Sequence, residues 1–240
     1  MKTDVMGVAF DDLTMEEAVE RGAALAAGTG YAYAVTPHPE LVMMARKDPD
    51  YAAVLARAEL TLADGVGITY AAKLLGRPLK GRVPGVDFAG NLMAEMAERG
   101  LKLFLLGAKP GVAERAAENL TKRYPGLDVC GVHDGYFQED GPVVEAVRAA
   151  GADVLFVCLG APKQERWMAQ NGAATGAHLA VGLGGSLDVF AGTVKRAPER
   201  WQKLGLEWLY RLLKEPRRIG RMAKLPLFLL QAAWGRIRGK

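Results

Sequence analysis

Residues 153–167 read DVLFVCLGAPKQERW. The run 153–160 is apolar at nearly every position and ends in glycine. A strand with no face left for water belongs to a parallel sheet covered on both sides. Pro162 then opens a helix, placing Lys163, Gln164 and Glu165 on its first turn beside the sheet edge. This is one βα unit, and the same unit recurs outward in both directions.

Short apolar runs at 31–36, 60–64, 101–107, 127–132 and 178–184 read as further strands, each ending near Gly, Asp or Thr. Helical patterns lie between them. Thr14 and Glu17 have capping-box spacing and open a helix to about Ala27. Asp48 followed by Pro49 reads as a cap and first helical residue, with a helix to Ala58. Segments 86–99, 111–124 and 142–150 continue the alternation. The rhythm predicts an α/β fold, a doubly wound Rossmann-like, mostly parallel sheet with helices on both faces.

The strand signals stop from about Ala197, and the boundary between body and appendage falls near Val194. Residues 195–240 hold 13 Lys or Arg against 3 Glu, a net of +10. That leaves 18 basic and 24 acidic residues in 1–194, a net of −6. The division predicts an acidic α/β body, 1–194, and a basic helical C-terminal appendage, 195–240. In the appendage, 198–215 reads as one helix with Trp201, Leu204, Trp208, Leu209 and Leu212 on a broad apolar face. The stretch 225–234 is half the length of a bilayer span, with Arg221, Lys224, Arg236 and Arg238 around it. It reads as a helix lying on an anionic membrane surface, held by Phe228, Leu229, Leu230 and Trp234. A +10 segment also attracts nucleic acid, but its apolar residues argue against that partner.

The two cysteines, Cys130 and Cys158, sit in strand-like runs and read as reduced, buried thiols. The N-terminus has no apolar core of signal-peptide length. The expected location is the cytoplasm, peripheral on the inner face of the plasma membrane. His38, His133 and His178 lack ligand spacing, so no metal site is expected. The oligomeric state stays open, a homo-oligomer included.

Ligands bind such sheets beyond the carboxyl ends of the strands. Asp64, after one strand and before Gly65 and Gly67, fits a general base and equally a helix cap. Gly107 to Gly111 fits an ordinary tight turn better than a phosphate cradle, because neither the Walker nor the dinucleotide spacing is present. Gly184 and Gly185 precede Ser186, which reads as a cap rather than a nucleophile. Asp48-Pro49-Asp50 reads as capping in preference to a divalent-ion site. The first turn at Lys163, Gln164 and Glu165 fits either a substrate contact or a plain surface helix start.

Taken together and in order, several motifs resemble the WecG/TagA/CpsF family, glycosyltransferase family 26. They are Thr36-Pro37-x-Pro39-Glu40, Ala63-Asp64-Gly65-x-Gly67, Arg82-Val83-x-Gly85-x-Asp87, Gly160-x-Pro162-Lys163-Gln164-Glu165 and Gly184-Gly185-x-x-Asp188. Arg196-Ala197-Pro198, Gly205-Leu206-Glu207-Trp208-Leu209-x-Arg211-Leu212 and Glu215-Pro216-x-Arg218 complete the set. The resemblance implies an inverting, metal-independent transferase without a cofactor. Its typical reaction moves N-acetylmannosamine from UDP-N-acetylmannosamine to undecaprenyl-diphosphate-linked N-acetylglucosamine, for wall teichoic acid. Related members use UDP-N-acetylmannosaminuronic acid or other donors for enterobacterial common antigen, capsule or exopolysaccharide. It assigns Asp64 as base and Thr36 and Gln164 as sugar contacts. Arg82, Arg196, Arg211, Arg218 and Arg221 are expected to meet the diphosphate or lipid headgroups. His38 stands where the family usually has Asn, which bears on the donor contacts. Removing everything after Val194 is expected to abolish turnover and leave the body folded.

Overall fold

A computed structural model describes residues 1–214 and 224–237. At its centre is a six-stranded parallel sheet of β3 (Ala32–Val35), β4 (Leu60–Thr61), β5 (Lys102–Gly107), β6 (Asp128–His133), β7 (Val154–Cys158) and β8 (Leu179–Gly182). The spatial order is β4-β3-β8-β7-β5-β6. Alternate residues enter two separate cores, as a strand's two-residue period requires. Tyr33, Val35, Leu155, Val157 and Ala180 join one core; Ala32, Ala34, Val154, Phe156 and Val181 join the other. All these strand residues are buried, which is why the runs carry no polar alternation.

Helices cover both faces. On one side lie α1 (Met15–Ala26), α5 (Gly85–Arg99), α6 (Val112–Arg123) and α9 (Ser186–Phe190), contributing Ala23, Phe88, Ala116 and Leu187. On the other lie α2 (Pro39–Ala45), α3 (Pro49–Ala56), α4 (Val66–Leu74), α7 (Asp140–Ala150) and α8 (Lys163–Asn171), contributing Val42, Tyr51, Ile68, Val147 and Met168. The expected capping box is formed: Thr14 Oγ1 accepts the Glu17 N–H, and Glu17 Oε2 accepts the Thr14 N–H at 2.8 Å. Asp48 caps α3 by accepting the Tyr51 N–H at 2.9 Å.

An N-terminal antiparallel hairpin, β1 (Lys2–Val5) and β2 (Val8–Asp11), was not expected from the pattern. Its two-residue turn, Met6-Gly7, has positive φ at both positions, 57° and 94°, as the twist of a tight hairpin demands. Asp11 fixes the hairpin to the sheet by accepting the Thr61 N–H at 2.8 Å.

The C-terminal segment departs from expectation at two points. The helix expected over 198–215 is two helices, α10 (Glu199–Lys203) and α11 (Glu207–Lys214), because Gly205 takes φ +70° between them. The last helix, α12 (Lys224–Ile237), packs on α2 and α4. Phe228 and Ala232 on it are fully buried in the body's own core, so Phe228 is a core residue and not a membrane anchor. Cutting the chain after Val194 would uncover the surface these two residues fill. Among the described side chains of α12, Leu227, Leu230 and Trp234 are the large apolar ones left exposed.

Cys158 is buried as expected, whereas Cys130 is only half-buried. Burial pushes Cys158 up to about 12, and it raises Cys130 as well.

Candidate active site

The strand order reverses where β3 meets β8. The chain leaves β3 toward β4 on one side, while β7 enters β8 from the other. Such a reversal opens a crevice at the carboxyl ends. A cavity of about 280 Å³ lies there, walled by His38, Glu40, Asp64, Arg82, Gly185 and Ser186. Glu207 and Trp208 of α11 and Leu225 of α12 close it from the C-terminal side. A larger open hollow of about 590 Å³ sits elsewhere, between the hairpin turn and Trp234, away from the strand ends and their polar groups.

Asp64 reaches the cavity because β4 is short. After Thr61 the chain makes one more ladder bond, Leu62 N–H to the Val35 carbonyl at 2.9 Å, and then turns. Val83 N–H donates to the Ala63 carbonyl at 3.0 Å, which brings the Arg82 segment alongside. Gly85 N–H, in the first turn of α5, donates to Asp64 Oδ2 at 3.3 Å. Asp64 lines the cavity, and the helix start it accepts from belongs to α5, not to the adjacent α4 that the capping reading named. Gly65 begins α4 at φ +90°, a conformation open to glycine.

The α4 and α5 N-termini both open on this cavity through Val66, Gly67, Pro84 and Val86. Helix starts carry partial positive charge and favour an anion. Arg82 adds a full positive charge to the same wall. Among the described residues no group of three His, Cys, Asp or Glu side chains is placed to hold a metal ion.

The remaining sequence candidates divide. Thr36 donates its hydroxyl to the Gly182 carbonyl at 3.0 Å, tying the end of β3 to that of β8 beside Gly85. Gln164 is 3% exposed; it accepts the Gly184 N–H at 2.9 Å and donates to Glu165 at 2.8 Å. It therefore holds the Gly184-Gly185 loop, and Gly185 is the part of that loop facing the cavity. Lys163 lies away from it, its ammonium 4.7 Å from the Phe137 ring centroid. Gly107 lies two strands beyond β8. Its need for glycine is local, since a Cβ there would sit 2.4 Å from the Cys158 carbonyl oxygen. Arg196 makes a two-pronged ion pair with Asp87 of α5 and lies 3.5 Å from Glu207 of α11, so it braces the cavity wall. Arg211 belongs to α11, with its side chain outside what is described, and Arg218 and Arg221 lie outside the described residues.

Sequence reasoning did not single out Glu40, Glu207, Trp208 or Leu225 as wall residues. Glu40 and the Gly205-to-Trp208 run stood within the quoted motifs, which was the available signal. Leu225 had none, because its place depends on α12 folding back onto α4.

Comparison with known proteins follows this geometry. The family model described as "Glycosyl transferase WecG/TagA/CpsF family" matches residues 3–240. A Staphylococcus aureus (strain MW2) protein named N-acetylglucosaminyldiphosphoundecaprenol N-acetyl-beta-D-mannosaminyltransferase is 37% identical over 235 residues, covering 97% of this chain and 92% of its own. A Bacillus spizizenii protein of the same name is 37% identical over 198 residues, covering 82% of this chain and 77% of its own. With a parallel sheet, a crevice at its switch point and a match across nearly its whole length, the chain belongs to the glycosyl transferase WecG/TagA/CpsF family.

Proposed function

We propose that the protein transfers N-acetylmannosamine from its UDP-linked form to N-acetylglucosamine carried on undecaprenyl diphosphate, with inversion and with Asp64 as general base. The acceptor hydroxyl attacks the anomeric carbon as the bond from that carbon to the UDP oxygen breaks. Its proton passes to Asp64, and UDP leaves with the bonding pair. Proton removal of this kind is worth roughly 10² to 10⁴ in rate. The departing diphosphate gains charge where the α4 and α5 N-termini and Arg82 face the cavity. Arg211, Arg218 and Arg221 are proposed to add positive charge from the C-terminal side.

The observation carrying this reading is the placing of a carboxylate and two helix N-termini in one crevice, in a chain 37% identical to transferases named for this reaction. The acceptor's lipid is rooted in a bilayer, so the enzyme is proposed to act as a peripheral protein on the inner face of the plasma membrane. No described helix is long and apolar enough to cross a membrane. Exposed Leu227, Leu230 and Trp234 on α12, beside Arg236, support contact with an anionic surface. No nucleic-acid partner is proposed.

The test is a panel of UDP-sugars with a short-chain lipid-diphosphate acceptor, read by UDP release and product mass. One added N-acetylhexosamine from UDP-N-acetylmannosamine supports the reading. Turnover only with a uronic acid donor, or with none, overturns the donor assignment.

A further inference from the structure

The transfer step leaves one buried acid unused. Glu165 is 1% exposed on the first turn of α8, and Tyr51 on α3 is fully buried. Glu165 Oε2 and Tyr51 Oη reach no partner at ordinary hydrogen-bond length, yet the two groups are close enough to perturb each other.

The orientation of Gln164 fixes what Glu165 must present. A backbone N–H only donates, so the Gly184 N–H requires Gln164 Oε1, at 2.9 Å. Gln164 Nε2 then points to Glu165 Oε1 at 2.8 Å, and Oε1 must accept. Oε2 remains. A carboxylate there would need a cation, and the nearby ones are engaged. Arg166 is paired with Asp48 at 2.6 Å, its guanidinium 5.8 Å from the Tyr51 ring centroid. Lys163 lies over Phe137. The other elements against α8 present Tyr33 of β3, whose hydroxyl donates to the Val54 carbonyl, and Cys158 of β7, which faces the opposite core. A charge held there with no cation to meet it is costly, whereas a neutral acid carries none: its carbonyl accepts from Gln164, and its hydroxyl oxygen faces the Tyr51 hydroxyl, which can either donate or accept.

We propose that Glu165 is a neutral carboxylic acid at working pH, and that the uncharged chain Tyr51–Glu165–Gln164–Gly184 positions the glycine loop at the cavity. Glu165 touches no substrate and is a positioning residue. The chain also supports Thr36, because Gln164 lies against Gly182, the residue whose carbonyl accepts the Thr36 hydroxyl. Burial is the leading cause that raises the Glu165 carboxyl, and hydrogen bonds from Gln164 and its own backbone oppose it. The link to turnover rests on the transfer reading above; the protonation state does not.

Two measurements test it. Wild-type protein at pH 7.5 should show the infrared carbonyl band of a protonated carboxylic acid, shifted in D₂O and missing from Glu165→Ala. Absence of that band overturns the proposal whether or not any variant folds. Glu165→Gln keeps the shape, the acceptor and a donor, so kcat/KM should stay within about threefold of wild type. Its Tm should exceed the wild type's by a margin that is nil below the unfolded carboxyl's range and grows as pH rises above it. The sign follows because an acid raised by folding withdraws stability once the unfolded chain ionises. A hundredfold loss of kcat/KM in folded Glu165→Gln, or a pH-independent Tm difference, would show that the ionised form is needed. If no donor is turned over at all, the transfer reading fails while the band and the Tm margin still decide the protonation state.

Discussion

Helix α12 has one face in the core and another in water, and substitution on each should read out differently. Phe228 is fully buried against α2 and α4, so Phe228→Ala removes a core aromatic and leaves a cavity. Losses of this type run to about 3–5 kcal/mol. In a chain of this size each kcal/mol lowers Tm by about 2–4 °C, so a fall of roughly 10 °C is expected by scanning calorimetry. Trp234 is 57% exposed. A whole aromatic side chain offers up to about 250 Å². Moving the exposed part into an apolar boundary at about 25 cal/mol/Å² is worth roughly 3 kcal/mol, and half-insertion about half that. Trp234→Ala should therefore leave Tm within about 2 °C and weaken partition onto anionic vesicles about tenfold, measured by sedimentation at low salt. Unchanged vesicle binding in Trp234→Ala, or unchanged Tm in Phe228→Ala, would refute the assignment of the two faces.

Arg196→Ala removes the ion pair with Asp87 and the positive charge beside Glu207, and a lost hydrogen-bonded ion pair of this kind costs about 2 kcal/mol in urea denaturation; kcat/KM should also fall, because α11 carries Glu207 and Trp208 in the cavity wall. Gly107→Ala should destabilise by more than 1 kcal/mol, since φ there is +133° and the new Cβ would press on the Cys158 backbone, a clash that no side-chain rotation relieves. Both thiols should resist a thiol reagent in the native protein at pH 8 and react on unfolding, because burial holds Cys158 at about 12 and raises Cys130 too.

The sheet was legible in the sequence because its strands other than the edge strand β6 are buried on both faces, which leaves apolar runs between helical patterns. The hairpin was not, because each strand has four residues, β1 keeps most of its surface exposed, and its Met6-Gly7 turn lacks the usual Asn or Asp. Helices α2 and α4 start at once after strand ends, at Pro39 and Val66, so their first residues read as loop. The 198–215 helix followed a sound apolar periodicity that Gly205 interrupts. Phe228 was misplaced because α12 is apolar nearly all round between 225 and 234; periodicity alone does not say which face meets the body. For the site, strand-end reasoning pointed to Asp64 and Gly185 and the family motif to Arg82, and all three line one crevice. It did not foresee that Gln164 is turned inward or that Arg196 is held by Asp87, since both depend on partners far along the chain.

The central claim is that Asp64 removes the acceptor proton. Asp64→Asn preserves size and hydrogen bonding but not basicity. Single-turnover transfer at saturating acceptor should slow at least a hundredfold, with UDP-sugar binding retained by calorimetry. A rate near that of wild type would contradict the account.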